Sequence, residues 1–202
     1  MKKFIVATRN KGKIFEIAEI LQEFNFEVIS MVQAGISKDI KETGRTFMDN
    51  ALIKAKGIYG LTHEMVMADD SGLEVEYLNG APGIYTSRFA GEGATDIERI
   101  NKLLELLKGV DINRRKARFV CAIAVFLPDG THFTVEGTCE GYIGFELKGE
   151  NGFGYDPIFY IPEYGMTMAE MEPEHKHRIS HRGTALRKMV EELTIHLQKE
   201  LN

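Results

Sequence analysis

The sequence has only two cysteines in 202 residues, Cys121 and Cys139. They share no metal-ligand spacing and are too few for a disulfide framework, so both read as reduced core thiols of a cytoplasmic protein. Long hydrophobic runs are also missing. The apolar stretch ending at Leu127 is far shorter than the roughly 20 residues that span a bilayer. Lys2-Lys3 precede only Phe4-Ile5-Val6-Ala7, too little for a signal peptide. Positive charge is in deficit: 25 Lys and Arg against 30 Asp and Glu leave a net charge of −5. That balance disfavours a broad nucleic-acid surface, so an anionic ligand would need cations gathered locally. Internal repeats and low-complexity tracts are absent. What remains, 44% hydrophobic and 27% charged, is ordinary for a globular chain able to bury a sizeable core in one domain or two lobes sharing a sheet.

The most informative stretch is residues 65–75, MVMADDSGLEV. Its first four residues read as a buried strand, apolar on both faces, that stops at Asp69-Asp70-Ser71-Gly72. Carboxylates at the carboxyl end of such a strand lie where α/β proteins bind ligands. Two adjacent acids repel, and a bound Mg²⁺ would offset that cost. The same residues also suit a plain strand followed by a turn.

Upstream, residues 4–7 predict a strand that runs into Thr8-Arg9-Asn10-Lys11-Gly12-Lys13. A helix follows, with Ile14, Ile17, Ala18 and Leu21 at helical spacing. A polar loop between a strand and a helix start offers backbone N–H groups and a positive dipole end to a phosphate, with Lys13 adding a full charge. It is not a Walker loop, and a solvated turn capped by Thr8 or Asn10 is the alternative. Residues 26–30 predict a strand. Thr46 is an N-cap for a second helix with Phe47, Ala51, Leu52, Ala55 and Ile58 on its apolar face and Asp49 in its first turn. Asn50 and Lys54 share a face of it at i and i+4. Strand–helix–strand connections would gather the loop of Asn10 and Lys13 near Asp70.

Beyond a turn at 80–83, Thr95 caps a third helix with Ile97, Ile100, Leu103, Leu104 and Leu107 on its apolar face, closing near Gly109. Arg88 suits an anion contact or a structural ion pair. Strands at 117–127 and 132–139 flank Pro128-Asp129-Gly130, a strong hairpin signal. Residues 149–157, GENGFGYDP, form a glycine-rich loop before a strand at 158–161. Glycines on both sides of Phe153 would let a flat ligand lie on the ring, with Asp156 accepting from its edge; a tight turn around a core Phe is the alternative. A final helix opens at Ser180-His181-Arg182-Gly183, with Ala185, Leu186, Met189, Leu193 and Leu197 on one side. His175, His177 and His181 lack the spacing of a zinc site.

Carboxylates at 69, 70 and 42, lysines at 13 and 54, a flat-ligand loop and a donor-rich Lys176/His181/Arg182 cluster together imply a Mg²⁺-dependent enzyme acting on a nucleotide. At these residues the chain resembles the inosine triphosphate pyrophosphatases, enzymes that hydrolyse nonstandard purine nucleoside triphosphates. The matches are ATRNKGK at 7–13, KETG at 41–44, NALIKAK at 50–56, ADDSGLEV at 68–75, GAPGIYTSRFAG at 80–91, GFGYDPIF at 152–159 and ISHRG at 179–183. They fall in the family's order and cover essentially the whole chain.

The resemblance implies that ITP, dITP or XTP plus water gives the monophosphate and pyrophosphate, by attack at the α-phosphorus. It implies Asp70 as general base and Mg²⁺ ligand, with Glu42 as the other metal carboxylate. The 8–13 loop (Thr8, Arg9, Asn10, Lys11, Gly12, Lys13), Lys54 and Ser71 would hold the triphosphate. Phe153 would stack on the purine, Gly154, Tyr155 and Asp156 would complete its loop, and Lys176, His181 and Arg182 would read the base. It further implies an α/β fold of two lobes around an elongated mixed sheet flanked by helices, one catalytic domain over 1–202 with its site in a cleft, and a cytoplasmic homodimer. Three rivals differ in testable ways. Maf-like pyrophosphatases carry a Ser-Pro-Arg-Arg first loop that residues 8–13 lack. A nucleotide-binding regulator would show no turnover. An RNA-binding module would show salt-dependent affinity.

Overall fold

Short apolar runs alternate with amphipathic stretches, and in the computed structural model they build one mixed sheet with helices. The structure describes residues 2–21, 26–38 and 40–199. The strands are β1 (Lys2–Val6), β2 (Phe26–Ser30), β3 (Met65–Val75), β4 (Lys116–Phe126), β5 (His132–Ile143), β6 (Phe159–Ile161) and β7 (Met166–Thr167). Their order in the sheet is β2-β1-β3-β4-β5-β6-β7. β1 runs parallel to β2 and β3, while β6 is antiparallel to β5 and β7. The parallel half is linked by helices α1 (Lys11–Leu21) and α2 (Phe47–Thr62); α3 (Asp96–Leu106), α4 (Pro173–Ile179) and α5 (His181–Lys199) follow. Among the described residues no helix is long and apolar enough to cross a membrane.

The expectation that the strand stops at Asp69 is corrected. β3 continues for 11 residues, straight through Asp69-Asp70-Ser71-Gly72. Burial of Leu73 and Val75 in a second core draws the strand onward past its own turn-forming residues. The acids therefore sit in mid-strand, on opposite faces of the pleat.

The chain divides into two compact units, residues 1–70, 121–137 and 184–202 in the first, 71–120 and 138–183 in the second. Each has its own core. Phe4, Val6, Ile17, Leu21, Met67, Ile123 and Met189 are among the apolar side chains of the first, and Leu73, Ile100, Leu103, Phe119, Tyr155 and Phe159 among those of the second. Both predicted caps form full capping boxes, Thr46 with Asp49 and Thr95 with Glu98. Ile97, assigned to the apolar face of α3, is exposed instead. The hairpin turns at Gly130, in the left-handed region at φ +87°. Helix α4 escapes the periodicity test because its seven residues, PEHKHRI, carry no apolar stripe.

α4 and α5 meet at a junction that admits only glycine. Ser180 Oγ accepts from Gly183 N at 3.1 Å. A Cβ on Gly183 would lie 1.8 Å from the His177 carbonyl oxygen, a clash with backbone. Gly183→Ala is expected to cost roughly 2–4 kcal/mol, seen as a fall in Tm of about 5–15 °C by calorimetry.

Candidate functional site

The first unit gathers three carboxylates and two ammonium groups. Asn10 caps α1, its Oδ1 accepting from Lys13 N at 3.2 Å, while Thr8 Oγ1 accepts from Asn10 N at 3.2 Å. From the first turn of α1, Lys13 Nζ reaches Asp69 Oδ2 at 2.6 Å. On α2, Lys54 Nζ donates to the Asp69 carbonyl at 3.0 Å and pairs with Glu42 Oε1 at 2.6 Å. One turn earlier Asn50 donates from Nδ2 to Asp70 Oδ2 at 3.0 Å and accepts from Gly44 N at 2.9 Å. Gly44 permits that approach, since a Cβ there would lie 2.5 Å from Asp49 Cβ and 2.7 Å from Asn50 Oδ1.

The electrostatics follow from that crowding. Burial pushes the Asp70 carboxyl above its ordinary pKa and the Glu42 charge adds to the rise, against the Asn50 hydrogen bond and the Lys54 and Lys13 charges. Burial disfavours the Lys54 ammonium, but Asp69, Glu42 and Asp70 outweigh it and hold its pKa above the usual value. Among the described residues no group of three or more His, Cys, Asp or Glu side chains is placed to hold a metal ion. Glu42, whose charge adds to the Asp70 rise, and Asp70 itself are both hard oxygen donors.

Other residues of the 8–13 loop are placed differently. Arg9 is exposed, donates from Nη2 to Ser37 O at 3.1 Å and lines a cavity of about 560 Å³ with Ile14, Phe15 and Val32. The side-chain environments of Lys11 and Gly12 lie outside the described residues. Ser71 is half-buried on β3.

The second unit holds the aromatic loop. Gly149 and Gly152 take left-handed φ values of +80° and +79°; a Cβ on the first would lie 2.2 Å from the Ala169 backbone, and on the second 2.2 Å from Asp156 Oδ2. Asp156, 3% exposed, accepts at Oδ2 from Phe153 N at 2.9 Å and from Lys176 Nζ at 2.5 Å. Burial pushes its carboxyl up, and Lys176 opposes the rise. The Phe153 ring is 49% exposed. Lys176 Nζ lies 4.9 Å and Arg182 Cζ 5.5 Å from its centroid.

Tyr155 is a core residue, with its hydroxyl donating to Thr86 O at 3.2 Å. His181 stacks on Phe119 with ring centroids 4.7 Å apart, and His175 meets Tyr164 edge-on. Arg88 lies over the Tyr85 ring at 5.0 Å, on an aromatic face rather than a carboxylate.

Two placements in these clusters escape the sequence reading. The sequence sets Asp69 beside Asp70 and gives it no partner of its own; strand alternation is the signal that their side chains part. Asp96, whose Oδ2 accepts from Gly154 N at 2.8 Å, carries no local signal at all, because its partner lies in a loop far along the chain.

A sequence model of the Ham1 family matches residues 4–192. The chain is 51% identical over 189 residues to a protein of Desulforamulus reducens named dITP/XTP pyrophosphatase, covering 94% of each. It is 48% identical over 195 residues to one of the same name from Bacillus cereus, covering 96% of this chain and 95% of that one. A solved HAM1 protein from Coxiella burnetii superposes with a TM-score of 0.90 at 43% identity, over 96% of this chain and 99% of that one.

Proposed function

This chain belongs to the Ham1 family, and on that premise we propose that it hydrolyses ITP, dITP and XTP to the monophosphate and pyrophosphate. It thereby clears nonstandard purines from the nucleotide pool before they enter DNA or RNA. The observation that carries the reading is the first-unit cluster, in which Lys13 and Lys54 are locked around Asp69, Asp70 and Glu42. Phosphoryl chemistry needs positioning and charge neutralisation more than covalent catalysis, and this set supplies both.

The 8–13 loop offers backbone N–H groups at the start of α1 to the phosphates, with Thr8, Asn10, Lys13, Lys54 and Ser71 as further contacts. A water oxygen attacks the α-phosphorus. Its proton passes to the Asp70 carboxylate, and the bond to the bridging oxygen breaks to release pyrophosphate. Asn50 aims the Asp70 carboxylate through Oδ2, and burial makes it a stronger base than an exposed carboxylate. Glu42 and Asp70 would hold Mg²⁺, which takes one or two protein carboxylates and fills its shell with water and phosphate oxygens. Bound there, it would supply charge neutralisation and acidify the attacking water.

For the base, Phe153 stacks on the purine and Arg182, Lys176 and His181 read its edge. Gly154, Tyr155 and Asp156 shape the loop that carries the ring. This reading places the enzyme in the cytoplasm, where its two buried thiols stay reduced, and gives it a second copy of itself as partner.

The test is ITP hydrolysis with Mg²⁺ and with chelator, separating pyrophosphate from orthophosphate, alongside ATP and GTP. Pyrophosphate from ITP, lost on chelation and scarcely formed from ATP, is the expected result. Orthophosphate as first product would move the attack away from the α-phosphorus, and binding without turnover would make the protein a regulator.

A further inference from the structure

Phe153 is half exposed, and its neighbours Gly152 and Gly154 have no side chains to pack and take left-handed φ values of +79° and +64°. Such a segment should be the least ordered part of the loop. Yet the peptide groups on both sides of residue 153 are held by carboxylates. Phe153 N–H donates to Asp156 Oδ2 at 2.9 Å, and Gly154 N–H donates to Asp96 Oδ2 at 2.8 Å. Asp156 belongs to the loop itself. Asp96 lies 58 residues earlier, at the first position of α3.

We propose that Asp96 is a positioning residue for the purine platform, fixing the direction of the Phe153 ring through the Gly154 N–H. The helix does not need Asp96 as its cap, because Thr95 and Glu98 already complete the capping box. Its other oxygen, Oδ1, accepts from Arg99 Nη2. Arg99 is anchored in turn, donating from Nη1 to Ser87 O and to Ala94 O, both at 2.7 Å. Burial works against the Asp96 charge, but Arg99 and the Gly154 N–H hold its carboxyl below the usual range. It therefore stays a charged acceptor, the stronger kind of hydrogen bond. The Tyr155 hydroxyl on Thr86 O makes a second tie between this loop and the segment before α3.

The proposal rests on Phe153 as the surface that takes the base. Its consequence is specific: losing the tie loosens the base and leaves the phosphates held, so KM moves and kcat does not. Asp96→Ala is expected to raise KM for ITP about tenfold with kcat within about twofold, the loss of one charge-assisted hydrogen bond. Asp96→Asn leaves one carbonyl oxygen for two donors, Gly154 N–H and Arg99 Nη2, and should give a KM between those of the unaltered protein and Asp96→Ala. The sequence has no tryptophan, so Phe153→Trp gives a single reporter on the platform. Adding Asp96→Ala to it should lower the fluorescence anisotropy before any nucleotide is present.

Unchanged KM and anisotropy with only a lowered Tm would make Asp96 a structural residue and overturn the proposal. Should Asp96→Ala not fold, Asp96→Ser replaces it, compatible with a helix start but too short to reach Gly154. Phe153→Ala separates the two layers. If it raises KM and Asp96→Ala does not, the positioning role fails; if neither does, the platform reading itself fails.

Discussion

Asp70→Asn is expected to lower kcat for ITP hydrolysis by about 10³-fold or more, while the protein folds as well as before or better. On the proposed roles of Asp70, the rate loss would combine a missing general base, which contributes roughly 10²–10⁴-fold, with a missing metal carboxylate. The stability gain follows from the direction of the Asp70 shift. Burial, the largest cause, leaves its carboxyl above the ordinary value of 3.8 in the folded state. Between that value and the raised one, the native protein binds more protons than the unfolded chain, so stability falls as pH rises through the window. At neutral pH the ionised form is therefore held at a cost that an amide, neutral and of the same shape, removes. The carbonyl oxygen of that amide can still accept the Asn50 Nδ2 hydrogen bond that Asp70 Oδ2 accepts now. Steady-state kinetics with ITP and thermal unfolding in chelator check both halves. Retained turnover would remove Asp70 from the chemistry. A large fall in Tm would mean that its charge supports the fold instead of straining it.

Arg182→Ala is expected to erode the preference for ITP over ATP by two orders of magnitude or more. Arg182 is 6% exposed, and a guanidinium only donates hydrogen bonds. Hypoxanthine and xanthine present a 6-oxo acceptor beside an N1–H donor, whereas adenine presents a 6-amino donor. Placing that amino group against Arg182 would set donor against donor in a desolvated site, and sites built around such a bond discriminate by roughly 10⁴–10⁵. The measurement is the ratio of kcat/KM for ITP and ATP on one preparation, in which the fraction of active enzyme cancels. That cancellation is needed because truncating a buried Arg also costs stability. Guanine shares the 6-oxo group, so the ratio of ITP to GTP should hardly move. An unchanged ITP to ATP ratio would assign base choice to other residues, with Lys176 the next to test.

Much of the architecture was legible because it is written in short-range patterns. Thr46 with Asp49 and Thr95 with Glu98 announce their helices three residues ahead, and both boxes form. Asp129-Gly130 announces its hairpin through the one residue type that takes φ +87° without strain. The pairing of Asn50 with Lys54 on one face follows from helical spacing, and the structure directs those two side chains to Asp70 and to the Asp69 carbonyl.

The misses share a cause. β3 does not end at Asp69 because Leu73 and Val75 find a core that no window of residues 65–75 reveals. Ile97 sits at a plausible apolar position, yet what α3 packs against leaves it exposed. Tyr155 lies in the glycine-rich loop, and that it is buried in a core is not visible there, since its neighbours come from distant segments.

The sequence by itself determined the residue types, the starts of α2 and α3, the hairpin and the family, because each is encoded in spacing over a few residues or in motifs read one by one. Tertiary structure alone decided which charges meet. That Lys13 neutralises Asp69 while Asn50 holds Asp70, and that Asp96 grips Gly154, are consequences of packing between elements far apart in the chain. The interaction of two charges depends on their separation and surroundings in space, and neither is a function of distance along the sequence.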